Sequence, residues 1–196
     1  HLVNIAIHLL ASCVVFLLLK RAFPHRLYLA LGGALIFVAH PLQTQAVTYI
    51  VQRMTSLAGL FFFLALYFFC RHREHVGGGN SRWFWYGRAL LCGALAVLTK
   101  QNTAVLPVAL VVFDRFILQQ RLPCSWRQLV LRAIPFAVVP LYLGFNSLIL
   151  PLLDGVSLEK IGGMPELAHL TYLSPINYLF TPFGVIWLYI KLLFIP

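Results

Sequence analysis

Charged residues are scarce in this chain, and acidic residues are the scarcest of them. Only 10% of the 196 residues are charged, and only five are Asp or Glu, whereas about a quarter of the residues are charged in ordinary globular proteins. A water-soluble surface cannot be built from so few charges. Hydrophobic residues make up 61% of the chain and the mean hydropathy is +0.86, so the composition excludes a soluble domain.

Paired cysteines and repeats are also missing. The four cysteines are far apart in the sequence and no CxxC motif occurs, so the pattern indicates neither a disulfide framework nor a cysteine metal cluster. No soluble repeat, low-complexity segment or coiled-coil heptad pattern is present.

Long apolar runs are what the chain does contain. A membrane-spanning helix needs about 20 predominantly apolar residues, so the chain has room for six or seven spans. We predict an all-α, polytopic membrane protein with six to seven transmembrane or interfacial helices, in which residues 1–196 form one partial transmembrane domain. The predicted runs are 2–19, 27–39, 46–69, 85–98, 103–118, 133–152 and 176–195.

Two of these runs have features that modify a simple span. The sixth contains Pro135, Pro140 and Pro151, and each proline removes a backbone donor, so we expect a kink or an interruption there. The last run, 176–195, carries enough polar residues to lie along the membrane interface instead of crossing it.

The net charge of +10 comes mainly from three basic clusters that separate the apolar runs. They lie at residues 20–26, 71–88 and 115–132, and positive loops of this kind mark the cytoplasmic side of a membrane protein. We therefore predict an integral membrane protein whose residues 40–53 and 100–102 share the opposite side, facing the periplasm, another extracytoplasmic space or the ER lumen. A nucleic-acid partner is not predicted.

A polar arc follows one side of the helix that is predicted to begin at Pro41. At about 100° per residue, six side chains share this arc: Thr44, Gln45, Thr48, Gln52, Thr55 and Ser56. We expect the arc to face a cavity between helices, and Met54 and Leu57 to face packing or lipid. The alternative is that these groups only bond neighbouring helices and water.

Two cations on the predicted outer side are candidates for binding an anion. Arg53 lies within a predicted membrane helix, where an arginine usually lines a substrate or ion pathway, binds an anion or pairs with an opposite charge. Its planar guanidinium has the geometry to bind a phosphate through two hydrogen bonds. Lys100 lies at the end of the fourth run, where its alternative role is snorkelling. His40 either donates to a phosphate or only caps a helix.

Other polar residues favour structural roles. Asn4 and His8 share one face of the first run with His1, and hydrogen bonds between helices are the preferred interpretation over haem binding. Asp114 and Arg115 are predicted to form a local ion pair. Most of the remaining acids, Asp154, Glu159 and Glu166, fall in the polar stretch 154–175 and are read as solvated loop groups.

The segment from His40 to Arg53 resembles a family signature. HPLQTQAV, followed by VQR and an aromatic-rich span, is similar to the H-P-x-[HQ]-T-[EQ]-[AS]-V…R pattern of multispanning GT-C glycosyltransferases fused to tetratricopeptide repeats, relatives of the protein O-mannosyltransferases. Three weaker stretches fit in the same order: HLVN with His8, TKQN through Pro107 to Asp114, and YLFT with Tyr189 to Pro196.

This resemblance implies a function and a set of ligands. The family's expected reaction is transfer of a sugar from a polyprenyl-phosphate donor to a protein acceptor on the non-cytoplasmic side, often with a divalent metal. It assigns binding of the donor phosphate to Arg53 and Lys100. The residues assigned to positioning of the donor or the acceptor are His40, Gln43, Gln45 and Gln101. The family's acidic catalytic motif is expected ahead of His1 and its repeats after Pro196, so no catalytic residue and no metal ligand is assigned within this sequence.

Two departures keep a second function open. Gln45 and Gln101 stand where many relatives have Glu, and an amide serves neither as a base nor as a strong ligand for a hard metal. The alternative is a non-catalytic membrane anchor or scaffold subunit that assembles with other membrane subunits. A transporter would be indicated by an inverted repeat and a midplane ionisable site, and neither is found.

Overall fold

The computed structural model of the chain describes residues 2–40, 52–75, 80–119 and 122–146, and these ranges contain helices and no strand. Helix α1 is Leu2–Ala22, α2 is Leu27–Ala39, α3 is Arg53–Glu74 and α4 is Asn80–Thr99. The next helical stretch starts with a 3₁₀ turn, Gln101–Val105, continues as α5, Leu106–Phe113, and ends in a π-helical turn, Asp114–Leu118. Helix α6 is Trp126–Gly144.

Several of these helices have the length and composition of membrane spans. Among the described residues, three stretches qualify: Leu2–Ala22, Arg53–Glu74 and Gln101–Leu118, while Leu27–Ala39 is apolar but shorter. Large apolar side chains on the outer surfaces of the helices are exposed; examples on α2 are Leu35 and Ile36, each 65% exposed. Because an exposed apolar surface of this kind requires an apolar environment, the predicted class of all-α membrane protein is confirmed.

The helix bounds agree with the apolar runs at some ends and differ at others. Helix α2 matches its predicted run, whereas α4 begins at Asn80, five positions before the predicted start. We expected a kink or an interruption at Pro135 and Pro140; helix α6 continues through both, so the interruption is wrong and the kink stays a prediction. A membrane helix tolerates a proline when neighbouring groups satisfy the freed carbonyl. Pro151, the run 176–195 and residues 41–51 lie outside the described residues.

Helix α3 packs against both α1 and α4, and α2 packs against α1 and brings Phe37 to the Phe63 ring of α3. Gly93 shows how closely the helices approach, since a Cβ atom there would lie 2.9 Å from side-chain atoms of both Leu106 and Phe136. Small residues permit such close helix packing in membranes. The buried cluster comprises Leu18, Ala65, Leu66, Phe69, Cys70, Ala89, Cys92, Leu106, Leu110, Leu118 and Phe136.

The chain divides into two units, His1–Pro140 and Leu141–Pro196. Of the second unit, the structure describes residues 141–146, where the Asn146 amide donates to the Tyr142 carbonyl at 2.9 Å. The interpretation of residues 1–196 as one partial transmembrane domain remains a prediction.

Ion pairs join the three basic clusters at one end of the helices. Arg21, at the end of α1, lies 2.5 Å from Glu74 at the end of α3. The neighbouring Arg73 Nε lies 2.6 Å from the Asp114 carboxylate, and Arg73 Nη2 also donates to the Leu122 carbonyl. The clusters therefore share one end of the bundle, which is called the basic end below.

The ion pair predicted between Asp114 and Arg115 is wrong. Asp114 is fully buried at 0% exposure and pairs with Arg73, 41 positions away, whereas Arg115 is exposed. The π-helical turn begins at Asp114, and the packing of that turn against the end of α3 brings the carboxylate to Arg73 in place of its sequence neighbour.

Candidate functional site

A polar ridge on α1 forms the back of the candidate site. Asn4, His8 and Ser12 lie one turn apart and are all buried, at 1%, 7% and 6% exposure. The His8 Nε2 atom is 3.3 Å from the Val38 carbonyl, and the Ser12 hydroxyl donates to the Ala34 carbonyl at 3.3 Å. The predicted role of Asn4 and His8 in hydrogen bonds between helices is thus confirmed; His1 lies outside the described residues.

Arg53 begins α3 and reaches this ridge. Its Nε donates to the Asn4 Oδ1 atom at 3.4 Å, although the side chain as a whole is exposed. One neutral amide accepts from only one of the five N–H groups of a guanidinium, and no hydrogen bond from the other four to another described residue is found.

Lys100 lies beyond the end of α4, in extended backbone between that helix and the 3₁₀ turn. Its Nζ donates to the Thr55 hydroxyl at 2.7 Å, and that hydroxyl donates to the Gln52 side-chain oxygen at 2.7 Å. The ammonium is therefore held against the first turn of α3 by a short chain of neutral groups, and simple snorkelling away from the protein does not describe it.

Both predicted cations lie around the first turn of α3, on different sides of it. Arg53 belongs to that turn, and Thr55, which binds Lys100, follows two positions later, about 200° around the helix axis and about 3 Å along it. The two charges thus lie at the same depth and flank one turn, with Arg53 on the side of α1 and Lys100 on the side of α4.

A cavity of about 240 Å³ opens beside this turn. Helices α1, α2 and α3 enclose it, and its lining includes His8, Phe37, Thr55, Ser56 and Phe63. Thr55 and Ser56 are the part of the predicted polar arc that faces this cavity, whereas Met54 is 58% exposed on the other side. The prediction for these three residues is confirmed, whereas Gln52 is not among the residues that line the cavity. The arc residues 44, 45 and 48 lie outside the described residues.

The other predicted site residues are less informative. His40 ends α2, where its backbone N–H bonds the Ile36 carbonyl at 2.9 Å. Gln101 is exposed at the start of the 3₁₀ turn, next to Lys100. Gln43 and Gln45 lie outside the described residues, and so do the loop acids 154, 159 and 166.

The two ends of the bundle differ in charge balance. Both acids in the described ranges, Glu74 and Asp114, are paired with arginines at the basic end. Within the same ranges, no carboxylate contacts Arg53 or Lys100, whose partners are neutral. A pair of uncompensated cations at an apolar boundary strongly attracts an anion.

The residues described here do not fit the divalent metal that the family resemblance implies. Across residues 2–40, 52–75, 80–119 and 122–146, no group of three His, Cys, Asp or Glu side chains lies close enough together to hold a metal ion.

Asn4 and Thr55 are site residues whose particular partners sequence reasoning missed. Both were predicted to be polar contacts on helix faces, but the pairing with Arg53 and Lys100 joins positions 49 and 45 residues apart. The available signal was weak: Asn4 and Thr55 lie in the halves of their apolar runs that are farther from the basic clusters.

The fold and the site define a helical membrane protein with two cations flanking one helix turn. Comparison with known proteins agrees with the family resemblance. The chain is 33% identical over 133 residues to protein O-mannosyl-transferase TMTC2 of Mus musculus, covering 65% of this chain and 16% of that protein. It is 32% identical over 133 residues to TMTC2 of Homo sapiens, with the same coverage.

A further relative is protein O-mannosyl-transferase TMTC4 of Homo sapiens, 32% identical over 128 residues, with 58% of this chain and 17% of that protein covered. The predicted resemblance to protein O-mannosyltransferase-like membrane proteins is therefore confirmed. The chain spans about a sixth of the length of these relatives. No protein-family model matches the chain, and no solved structure gives a significant match.

Proposed function

We propose that this chain is the donor-binding part of a membrane glycosyltransferase of the GT-C type, linked to tetratricopeptide repeats, that transfers a sugar from a polyprenyl-phosphate donor to a protein acceptor. Arg53 and Lys100 hold the phosphate of the donor. His40, Gln43, Gln45 and Gln101 position the donor or the acceptor.

One observation carries this proposal: two cations flank the first turn of α3, and each contacts only neutral groups among the described residues. A lipid-linked phosphate supplies the missing negative charge, and a guanidinium and an ammonium each bind phosphate oxygens. The names of the relatives, protein O-mannosyl-transferases, support a sugar as the transferred group and a protein as the acceptor.

Transfer by the full-length protein tests the proposal. With a labelled polyprenyl-phosphate sugar and a protein acceptor, we expect transfer by the wild type and a roughly tenfold lower rate for Lys100→Ala, since a hydrogen bond to a charged group contributes about 1.5–3 kcal/mol. Lys20→Ala, which removes an exposed lysine at the basic end, is the matched control and should retain the wild-type rate.

The scaffold alternative makes the opposite prediction. It is favoured by the Gln45 and Gln101 departures, because a site without those carboxylates lacks two groups able to accept a proton or bind a hard metal. A scaffold would show no transfer in any variant while remaining bound to its membrane partners in co-purification.

The proposal also places the site on the non-cytoplasmic side. The contacts at the two ends separate Lys100 from the basic clusters, and the positive-inside rule orients such clusters to the cytoplasm. In a cysteine-free background, a membrane-impermeant thiol reagent added from outside the cytoplasm should label a cysteine at Asn102 but not one at His25, both exposed positions. Labelling of both from one side would contradict this orientation.

A further inference from the structure

A second concentration of positive charge lies at the basic end of the bundle. The arginine cluster, defined as Arg73, Arg82 and Arg132, brings together α3, α4 and α6. His72 Nδ1 is 3.1 Å from the Arg82 carbonyl, the Tyr86 hydroxyl donates to the Arg132 carbonyl at 2.8 Å, and the rings of His72 and Tyr86 are 4.9 Å apart. These contacts fix the positions at which the arginines leave their helices.

The charges of the arginine cluster are not balanced among the described residues. Asp114 neutralises Arg73, and the second described acid, Glu74, pairs with Arg21. Neither Arg82 nor Arg132 forms an ion pair with a carboxylate in those ranges. Asp114 attracts the Arg132 guanidinium at longer range, whereas Arg73 and Arg82 repel it. The cluster therefore carries about two positive charges in excess.

Hydrogen-bond donors of the same arginines are buried without acceptors. Within the part of the chain that the structure describes, the Arg82 Nε and Arg132 Nη1 atoms are shielded from solvent and have no partner. The two residues are each only half-buried as a whole, so part of each residue is open to the protein surface. Buried unpaired donors on charged groups are unfavourable, and an oxyanion would satisfy the donors and the charge together.

The surroundings place this cluster at the depth of lipid headgroups. The Arg71 guanidinium stacks over the Trp85 ring at 4.6 Å, Arg88 lies 4.1 Å from the Phe84 ring centroid, and Trp83 is 67% exposed. Aromatic side chains of this kind concentrate at membrane–water interfaces, and basic pockets between helices at that depth bind anionic headgroups.

We propose that Arg82 and Arg132, with Arg73 beside them, bind the headgroup phosphate of an anionic phospholipid in the leaflet next to the basic clusters. This site lies at the opposite end of the bundle from Lys100 and does not depend on the proposed transferase activity. The bound lipid links the ends of α3, α4 and α6 and so stabilises the folded protein.

Thermal unfolding of the full-length protein in neutral detergent tests the proposal. Adding phosphatidylglycerol should raise the melting temperature of the wild type, and phosphatidylcholine should not. The dependence of the melting temperature on the phosphatidylglycerol concentration gives an apparent affinity of the protein for this lipid. In the double variant Arg82→Gln and Arg132→Gln, that affinity should weaken by about tenfold or more, because each arginine near an anionic surface strengthens binding by about fivefold.

A matched control separates this site from general charge effects. Arg127→Gln removes an exposed arginine from the same helix as Arg132 and should leave the affinity for phosphatidylglycerol unchanged. The double variant Arg82→Lys and Arg132→Lys keeps the charge and should retain most of the stabilisation. If the double glutamine variant does not fold, the single variant Arg82→Gln is measured and should weaken the affinity severalfold.

Three outcomes would overturn the proposal. The first is a wild type that phosphatidylglycerol does not stabilise, and the second is equal affinity in the wild type and the glutamine variants. The third is equal stabilisation by inorganic phosphate, which would assign the site to a soluble anion instead of a lipid.

Discussion

Replacing Arg53 with alanine should weaken the binding of a polyprenyl-phosphate sugar to the full-length protein by about ten- to a hundredfold. A hydrogen bond to a charged group contributes about 1.5–3 kcal/mol, and each 1.4 kcal/mol is a tenfold change in affinity. Arg53→Lys should lose less, because the charge remains and only the planar fork is removed. Equilibrium binding of a labelled donor to the protein in nanodiscs measures both variants.

The control for Arg53 is an arginine at the other end of the bundle. Arg26 is exposed just ahead of α2 and makes no side-chain cap to that helix, so Arg26→Ala should bind the donor as the wild type does. Arg53 also contacts Asn4, and a comparison of melting temperatures separates a loss of folding from a loss of binding. Wild-type affinity in both Arg53 variants would remove this residue from the site.

The largest effect on stability is expected at Asp114. The Asp114 carboxylate is buried against Arg73, and removing one partner of a buried ion pair costs about 3–5 kcal/mol, because the other charge is left uncompensated. We therefore expect Asp114→Ala to lower the free energy of unfolding by about that amount. Denaturant or thermal unfolding of the protein in detergent measures the loss.

Glu74→Gln serves as the matched comparison for Asp114. Its pair with Arg21 has the same charges, but the two side chains are 23% and 30% exposed, and exposed pairs contribute about 0–1 kcal/mol. Replacing both Arg73 and Asp114 with apolar residues should restore part of the stability that Asp114→Ala loses. Equal losses in Asp114→Ala and Glu74→Gln would show that burial does not set the strength of these pairs.

Helices and their ends could be predicted where the sequence changes abruptly between apolar and basic residues. Helix α1 ends beside Lys20 and Arg21 and α2 ends at His40, as the hydropathy pattern indicates. The polar ridge on α1 could also be predicted, because Asn4 and His8 lie on one side of an otherwise apolar helix. In each case the signal is local, and the helix period and the boundary of the apolar run determine the result.

Pairings between distant helices could not be predicted in the same way. Asp114 has an arginine next to it in the sequence, yet its partner is Arg73, because the π-helical turn and the end of α3 pack together. Likewise, Lys100 was correctly placed at the end of α4, but its bond to Thr55 depends on how α4 packs against α3. Residue periodicity carries no information about which helices are neighbours.

The same limit explains the two prolines of α6. Pro135 and Pro140 each remove a backbone donor, which argues for an interruption when the helix is considered alone. The helix nevertheless continues, with Ala133 and Phe136 buried against the rest of the protein, because packing along this side stabilises it beyond what local propensity indicates. Whether a proline ends a membrane helix is thus decided by its neighbours.

We propose that Arg53 and Lys100 recognise the phosphate of a lipid-linked donor. The most direct measurement compares the affinities of the full-length protein for a polyprenyl phosphate and for the uncharged polyprenol of the same length. We predict that the wild type prefers the phosphate by at least about tenfold and that the double variant Arg53→Ala and Lys100→Ala loses most of this preference while its affinity for the alcohol is unchanged. An equal preference in the wild type and the double variant would contradict the claim.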